Sequence, residues 1–103
     1  MRFEQLTAVV TGGGQGIGAA TCRLLAGEGA RVAVLDLDFS AATVVAEEIV
    51  AQGGTALALG VDVEVEEAVE AAFARIGEQM GGADILVSNA RVTRDRTILR
   101  MTV

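Results

Sequence analysis

The chain has 103 residues, which is enough for one small domain, and 51% of them are hydrophobic while only 3% are aromatic. The net charge of −6 disfavours nucleic acid as a partner, and no apolar run is long enough to span a membrane. His, Tyr and Lys are absent, which removes the usual general bases other than carboxylates.

Residues 6–11 form a short apolar run with β-branched side chains and are predicted to be a buried strand. From Gly16 the hydrophobic period becomes helical, and the segment ends at two glycines. The apolar positions of this first helix are Ile17, Ala20, Thr21, Leu24 and Leu25. Residues 31–36 read as a second buried strand.

Ser40 is predicted to be the N-cap of a second helix, with Val44, Val45 and Ile49 facing inward and glycines 53 and 54 ending it. Residues 55–61 are predicted to be a third strand, and residues 84–88 a fourth. The intervening third helix has one apolar face and a glutamate-rich start, which suits the positive end of a helix dipole. Its apolar face comprises Val65, Val69, Ala72, Phe73, Ile76 and Met80.

This β-α-β-α-β-α-β order predicts an α/β fold with a parallel sheet and right-handed crossovers. We expect a Rossmann-like, three-layer α/β/α arrangement, the first half of a doubly wound fold with strand order 3-2-1-4. No linker or repeat divides residues 1–103, so we treat them as one domain.

A glycine-rich loop, Thr-Gly-Gly-Gly-Gln-Gly-Ile-Gly at residues 11–18, joins the first strand to the first helix. A diphosphate needs backbone N–H donors at close range and a helix N-terminus directed at it. The chain has no Lys, so this loop is not a P-loop of the Walker type. The alternative is a purely structural turn. The glycines also allow a second register of the motif, since Gly14, Gly16 and Ala19 fit the general Rossmann spacing.

Asp36 ends the second strand, where a carboxylate can accept hydrogen bonds from adenosine ribose hydroxyls and would repel a 2′-phosphate. The alternative is an aspartate that merely begins a turn. Asp38, two residues later, is interpreted as a solvated loop acid.

These residues resemble the short-chain dehydrogenase/reductase family over essentially the whole chain. The family's form of the glycine motif falls at residues 11–18, with Gly12, Gly16, Ile17 and Gly18 at its fixed positions. The resemblance implies that Asp36 selects NAD and that Asp62, with Val63, approaches the adenine ring. Asn89 and Ala90 resemble the centre of the family's Asn-Asn-Ala-Gly signature.

Members that prefer NADP tend to carry a basic residue just before the second motif glycine or just after the acid. Here these positions hold Gln15 and Leu37, so the expected cofactor is NAD, with NADP less favoured. Residues 84–101 look most like 3-oxoacyl-[acyl-carrier-protein] reductases and acetoacetyl-CoA reductases, which usually use NADPH. The subgroup resemblance therefore indicates NADPH, whereas Gln15 and Leu37 indicate NAD. We follow the latter, because it rests on a charge argument.

The sequence departs from the family at Ser88 and Arg91, and the Arg side chain could clash with the nicotinamide ribose. The family's catalytic Tyr and Lys are absent, so no residue of this chain is predicted to be catalytic, and none to bind a metal. We therefore expect the cofactor half of an oxidoreductase, truncated at Val103, which is completed by a longer product, another chain or homo-oligomerisation. The alternative is a catalytically inactive dinucleotide-binding or interaction module.

Cys22 is the single cysteine and lies in a helical pattern, which indicates a buried structural thiol in a reducing, cytoplasmic protein. The start of the chain does not read as a signal peptide. Four arginines concentrate in residues 91–103, and they either bind phosphates or an acidic partner or form a solvated surface. They are Arg91, Arg94, Arg96 and Arg100.

Overall fold

The computed structural model describes residues 3–89, and in this part strands and helices alternate along the chain. The strands are β1 (Thr7–Thr11), β2 (Arg31–Asp36), β3 (Thr55–Gly60) and β4 (Ile85–Ser88). The helices are α1 (Gly16–Gly27), α2 (Phe39–Ala51) and α3 (Glu66–Met80).

The four strands form one parallel sheet in the order β3-β2-β1-β4. Thr7 of β1 pairs with Arg31 of β2, and Ala8 pairs with Ile85 of β4. Because every pair is parallel, the carboxyl ends of the strands meet at one edge of the sheet. The expected α/β class and strand order are therefore confirmed.

The helices cover both faces of the sheet and create two cores. On one face α1 and α2 pack on alternate strand residues, with the core Ala8, Val10, Ala19, Cys22, Ala30, Val32, Val34, Ala42, Val45, Ala46 and Ile49. On the other face α3 covers the remaining strand residues, with the core Val9, Ala33, Leu35, Val61, Ala72, Ile76 and Met80. This arrangement is the three-layer architecture expected from the sequence.

The buried face of α1 consists of small residues. Gly18, Ala19 and Cys22 face the sheet, while Ile17 and Leu24 are 77% and 65% exposed. Small side chains let a helix approach a strand closely, whereas the larger apolar stripe lies on the outer surface. Of the apolar positions named from the sequence, Leu25 packs against this core, whereas Ile17, Ala20 and Leu24 are exposed.

The start of α2 also corrects the prediction. Asp38, not Ser40, is the N-cap, and its Oδ1 accepts a hydrogen bond of 3.2 Å from the backbone N of Ala41. Asp38 is thus a structural cap rather than a free loop acid. Val45 and Ile49 are buried as expected, but Val44 is 54% exposed.

At the sheet edge that holds the amino ends of the strands, hydrogen bonds join β1 to the segment before β4. The Asp84 Oδ2 accepts from the backbone N of Thr7 at 2.8 Å, and the Asp84 N donates to the Thr7 carbonyl at 2.8 Å. The Thr7 hydroxyl donates to the Met80 carbonyl at 3.2 Å. These contacts fix β4 beside β1. Among residues 3–89 we found no helix with the length and apolar character needed to cross a bilayer.

Candidate functional site

The glycine loop between β1 and α1 is shaped by close backbone approach. Gly12 has φ +65° and Gly16 has φ +54°, a region that non-glycine residues rarely adopt. A Cβ on Gly18 would collide with the carbonyl oxygen of Gly12 and lie 2.8 Å from its carbonyl carbon. Glycine at 18 therefore lets the first turn of α1 pack directly on the loop.

The loop is also anchored to the neighbouring strand. The backbone N of Gly13 donates to the carbonyl of Leu35 at 2.9 Å, and the next amide, of Gly14, donates to Oδ2 of Asp36 at 3.0 Å. The loop and the end of β2 are thus joined by two consecutive hydrogen bonds. A rigid loop holds its remaining N–H groups in fixed directions.

The N-terminus of α1 differs from those of the other two described helices. Its N-cap, Gln15, makes no side-chain capping hydrogen bond within the described region, and its first turn carries no acid. In contrast, Asp38 caps α2, and Glu66 and Glu67 lie in the first turn of α3. A helix N-terminus carries positive partial charge and unsatisfied N–H groups, so α1 has room there for an external anion.

Asp36 is held in place by three contacts. Its Oδ2 accepts from Gly14, its Oδ1 accepts from the backbone N of Asp38 at 2.9 Å, and its carbonyl accepts from the backbone N of Val61 at 3.0 Å. The carboxylate therefore has a defined orientation between the loop and the start of α2. This orientation is what a bidentate acceptor requires.

A cleft of about 780 Å³ opens at the carboxyl edge of the sheet. It is lined by Gly12, Gln15, Asp36, Leu37, Asp38, Val61, Asp62, Val63, Glu64 and Asn89. Among these described residues four are acids and none is a base, so the cleft carries a negative field. Its volume is in the range of ligand-binding clefts.

The structure brings most of the predicted cofactor residues to this cleft. Seven line it: Gly12, Gln15, Asp36, Leu37, Asp62, Val63 and Asn89. Gly16, Ile17 and Gly18 form the adjacent first turn of α1 instead. Ala90, Arg91 and the arginine-rich segment lie outside the described residues.

Three lining residues, Val61, Asp38 and Glu64, were not among the predicted site residues. A signal existed for Asp38, because an Asp three residues before a helical amide is a preferred N-cap. Val61 comes directly after β3, at the edge of the sheet where the cleft opens. Nothing in the sequence pattern marked Glu64.

Asp62 also has a local structural contact. Its Oδ1 accepts from the backbone N of Glu64 at 3.0 Å, and its carbonyl accepts from the backbone N of Val65, also at 3.0 Å. These bonds form the turn that leads into α3. The turn places Asp62 at the cleft, which Leu37 of the loop after β2 also lines.

Asn89 follows β4 and lines the cleft beside the glycine loop. Its backbone N donates to the Thr11 hydroxyl at 2.9 Å, which ties the end of β4 to the end of β1. Its Nδ2 is buried and has no hydrogen-bond partner among residues 3–89. A buried amide donor is costly when unpaired, so an acceptor supplied by a ligand in the cleft would satisfy it.

Cys22 does not contribute to this chemistry. It is fully buried on the inner face of α1, and its Sγ lies 3.7 Å from the Gly13 carbonyl, to which it donates. Burial raises the pKa of the Cys22 thiol to about 12, although the neighbouring Arg23 acts in the opposite direction. A neutral, inaccessible thiol is a packing group rather than a nucleophile.

Comparison with known proteins places this geometry in a family. The sequence model described as "short chain dehydrogenase" matches residues 6–103. The short-chain reductase protein NovJ of Streptomyces niveus is 43% identical over 98 residues, which are 95% of this chain and 37% of NovJ. The 3-oxoacyl-[acyl-carrier-protein] reductase FabG of Vibrio cholerae is 37% identical over 101 residues, 98% of this chain and 40% of FabG.

Solved structures agree with this assignment. A metagenomic short-chain oxidoreductase in complex with NADP superposes with a TM-score of 0.84 at 38% identity, covering 89% of this chain and 42% of that one. An oxidoreductase from Haemophilus influenza with bound NAD gives a TM-score of 0.80 at 34% identity, covering 82% and 30%.

The chain belongs to the short-chain dehydrogenase family. It spans about two fifths of the length of NovJ and of FabG, 37% of the first and 40% of the second.

Proposed function

We propose that this member of the short-chain dehydrogenase family is the NAD-binding unit of an oxidoreductase, with residues 1–103 forming its dinucleotide-binding domain. The observation that carries the proposal is the Asp36 carboxylate. It is fixed by the amides of Gly14 and Asp38 in the same cleft that the glycine loop and Asn89 line.

The glycine loop suits the diphosphate of such a cofactor. Gly12 and Gly18 leave the loop without side chains at the entrance to α1, and Gln15 leaves the helix N-terminus uncapped. The amides of residues 16–18 are donors that the helix itself cannot pair. Two negative phosphates would therefore meet N–H groups and the positive end of a dipole.

The charges of the cleft support NAD over NADP. Its described lining holds the carboxylates of Asp36, Asp38, Asp62 and Glu64, and no cation among residues 3–89 lines it. A 2′-phosphate at Asp36 would meet like charge at short range, whereas ribose hydroxyls would donate hydrogen bonds. One structural neighbour binds NADP and another NAD, so the preference proposed here rests on this chain's own residues.

When bound, the nicotinamide would supply or accept a hydride. The residues of this chain would bind and orient it: Asp36 the adenosine ribose, Asp62 and Val63 the adenine, and Asn89 with Ala90 the segment nearest the reacting ring. The proposed reaction interconverts an alcohol and a ketone, and the similarity to FabG supports a 3-oxoacyl thioester as substrate. The proton-transfer residues are proposed to lie in the part of the fold that the relatives have beyond this match.

A second candidate is a binding module without turnover. It makes the same prediction for cofactor binding and differs only in whether hydride transfer follows.

The sheet also suggests how the unit is completed. β4 pairs with β1 on one side, and no strand among the described residues pairs with its other side. Open parallel edges are normally covered, so we propose that a further segment or a second copy pairs there. Sedimentation of the 103-residue chain as a compact monomer would contradict pairing by a second copy.

We also propose that the protein resides in a reducing compartment, the cytoplasm, because its single cysteine is a buried, free thiol.

Calorimetric titration of the chain with NAD and NADP tests the proposal. The parent chain should bind NAD more tightly. Asp36→Asn keeps the side-chain shape but removes the charge. It should weaken the affinity for NAD about tenfold and reduce the difference between the affinities for NAD and NADP. The matched control is Glu70→Gln, which removes one charge from an exposed position on α3, outside the cleft.

Two outcomes would refute the assignment. No heat with either nucleotide would exclude a binding function for this chain by itself. An unchanged NAD-to-NADP preference in Asp36→Asn would remove Asp36 from cofactor selection.

A further inference from the structure

A ring of contacts surrounds the Asp36 carboxylate, and we call it the Asp36 clasp: Gly14, Asp36, Asp38 and Ala41. Gly14 N donates to Asp36 Oδ2 at 3.0 Å, and Asp38 N donates to Asp36 Oδ1 at 2.9 Å. Asp38 Oδ1 in turn accepts from Ala41 N at 3.2 Å. The clasp therefore connects the glycine loop, the end of β2 and the first turn of α2.

The two backbone hydrogen bonds are shared equally between the two oxygens of the Asp36 carboxylate. Each oxygen of an ionised Asp has two lone-pair sites, and in Asp36 each oxygen accepts one backbone N–H. One acceptor site remains on each oxygen. Two acceptors on one rigid plane match the two donors of a ribose cis-diol, and losing either amide would let the plane rotate.

The clasp closes through van der Waals contact between Gly14 and α2. A Cβ on Gly14 would lie 2.8 Å from the Ala41 Cβ, the Ala41 carbonyl carbon and the Ala42 N. Two of these three atoms are backbone and cannot turn aside. Gly14 is not among the residues with positive φ, so the restriction is one of space and not of backbone conformation.

We propose that Gly14 is a positioning residue that sets the NAD preference by holding the Asp36 carboxylate in its bidentate orientation. Any side chain at position 14 separates the loop from α2, lengthens the Gly14–Asp36 hydrogen bond and frees the carboxylate. The inference rests on the proposed function, since it presupposes that Asp36 meets the ribose.

The test compares Gly14→Ala with Gly54→Ala. A Cβ on Gly54 would lie 2.8 Å from Ile49 Cγ2, so both substitutions press on α2, one at each end. The preference is the dissociation constant for NADP divided by that for NAD, measured by calorimetry. This ratio should fall about tenfold in Gly14→Ala. Gly54→Ala should leave the ratio unchanged, even where both variants melt at lower temperature.

A double-mutant cycle decides whether the effect passes through Asp36. In the Asp36→Asn background, Gly14→Ala should change the ratio no further. An equal fall in both backgrounds, or no fall in Gly14→Ala alone, would overturn the inference while leaving the proposed function intact. An unchanged ratio in Asp36→Asn would instead remove the proposed function and this inference with it.

Amide exchange measured by NMR tests the clasp even if Gly14→Ala does not fold. The Gly14 amide of the parent chain should be protected and should lose that protection in Asp36→Ala. The Gly13 amide is the internal control, because its acceptor is the backbone carbonyl of Leu35 at 2.9 Å. A Gly14 amide that exchanges as fast as an unbonded one in the parent chain would overturn the inference.

Discussion

The contact between Gly18 and Gly12 makes a quantitative prediction for stability. Gly18→Ala places a methyl group against the Gly12 carbonyl and 3.1 Å from Asn89 Nδ2. The loop cannot simply move away, because the Gly13 amide is bonded to Leu35. Overpacking of this kind costs about 1–3 kcal/mol.

The matched substitution is Gly77→Ala. Gly77 is also helical, but a Cβ there would meet nothing within 4 Å among the described residues. Both substitutions gain helix propensity, about 1 kcal/mol for Gly→Ala, so this gain cancels when the two variants are compared. The remaining difference is the overpacking cost at Gly18.

Thermal denaturation measures the difference directly. For a chain of this size 1 kcal/mol corresponds to about 4–8 °C in Tm, so Gly18→Ala should melt about 5–20 °C below Gly77→Ala. Gly77→Ala itself should melt above the parent chain. Equal melting temperatures for the two variants would refute the close approach of α1 to the loop.

The remaining predictions concern α2 and the buried thiol. Asp38→Ala should lose about 1 kcal/mol of unfolding free energy in urea denaturation because it removes the cap on Ala41, whereas Ser40→Ala should change it little. The reverse order would restore Ser40 as the cap. Cys22 should resist alkylation at pH 8 in the folded chain and react on unfolding, and rapid labelling of the folded chain would contradict its burial. Because its pKa is raised from 9.0 to about 12, the neutral thiol's contribution to stability is intact below pH 9 and is lost as the pH rises towards 12, so pH-dependent urea denaturation should show a smaller decline in Cys22→Ala.

The strands and α3 could be predicted from the sequence because their hydrophobic patterns allow one solution. α3 has a single apolar face, and Ala72, Ile76 and Met80 are buried on it as predicted, whereas Val65 precedes the helix as its N-cap and is 43% exposed. The parallel strands are apolar without interruption, and this pattern predicts that helices cover both faces of the sheet. The right-handed crossover rule, applied to the strand order 3-2-1-4, determines the face of the sheet on which each helix lies.

The faces of α1 and α2 were harder to predict because these helices are apolar on more than one side. In α1 the larger residues Ile17 and Leu24 are exposed, and the small residues Gly18 and Cys22 face the sheet. The deciding factor is the closeness of the loop, a tertiary contact that hydrophobic period does not contain. Residue size, rather than hydrophobicity, was the signal for the buried face.

For the cleft, the sequence identified Asp36 and the glycines but not how they are held. The Gly14–Asp36 hydrogen bond joins residues 22 apart, and its existence depends on the relative positions of β1 and β2. Glu64 lines the cleft from the turn after β3, where its backbone N donates to Asp62 Oδ1. Such contacts follow from the assembled sheet, and a single sequence does not display them.

The central position of β1 has a consequence for how the chain folds. Its first neighbour is reached after 24 residues, at the Arg31–Thr7 contact, but its second requires Asp84, 77 residues from Thr7. Long-range pairing of this kind makes folding slow. During synthesis one side of β1 must stay unpaired while the β2 and β3 units are made, so β4 is expected to dock last. Substitutions that weaken the Asp84–Thr7 bonds should accelerate unfolding more than they slow folding.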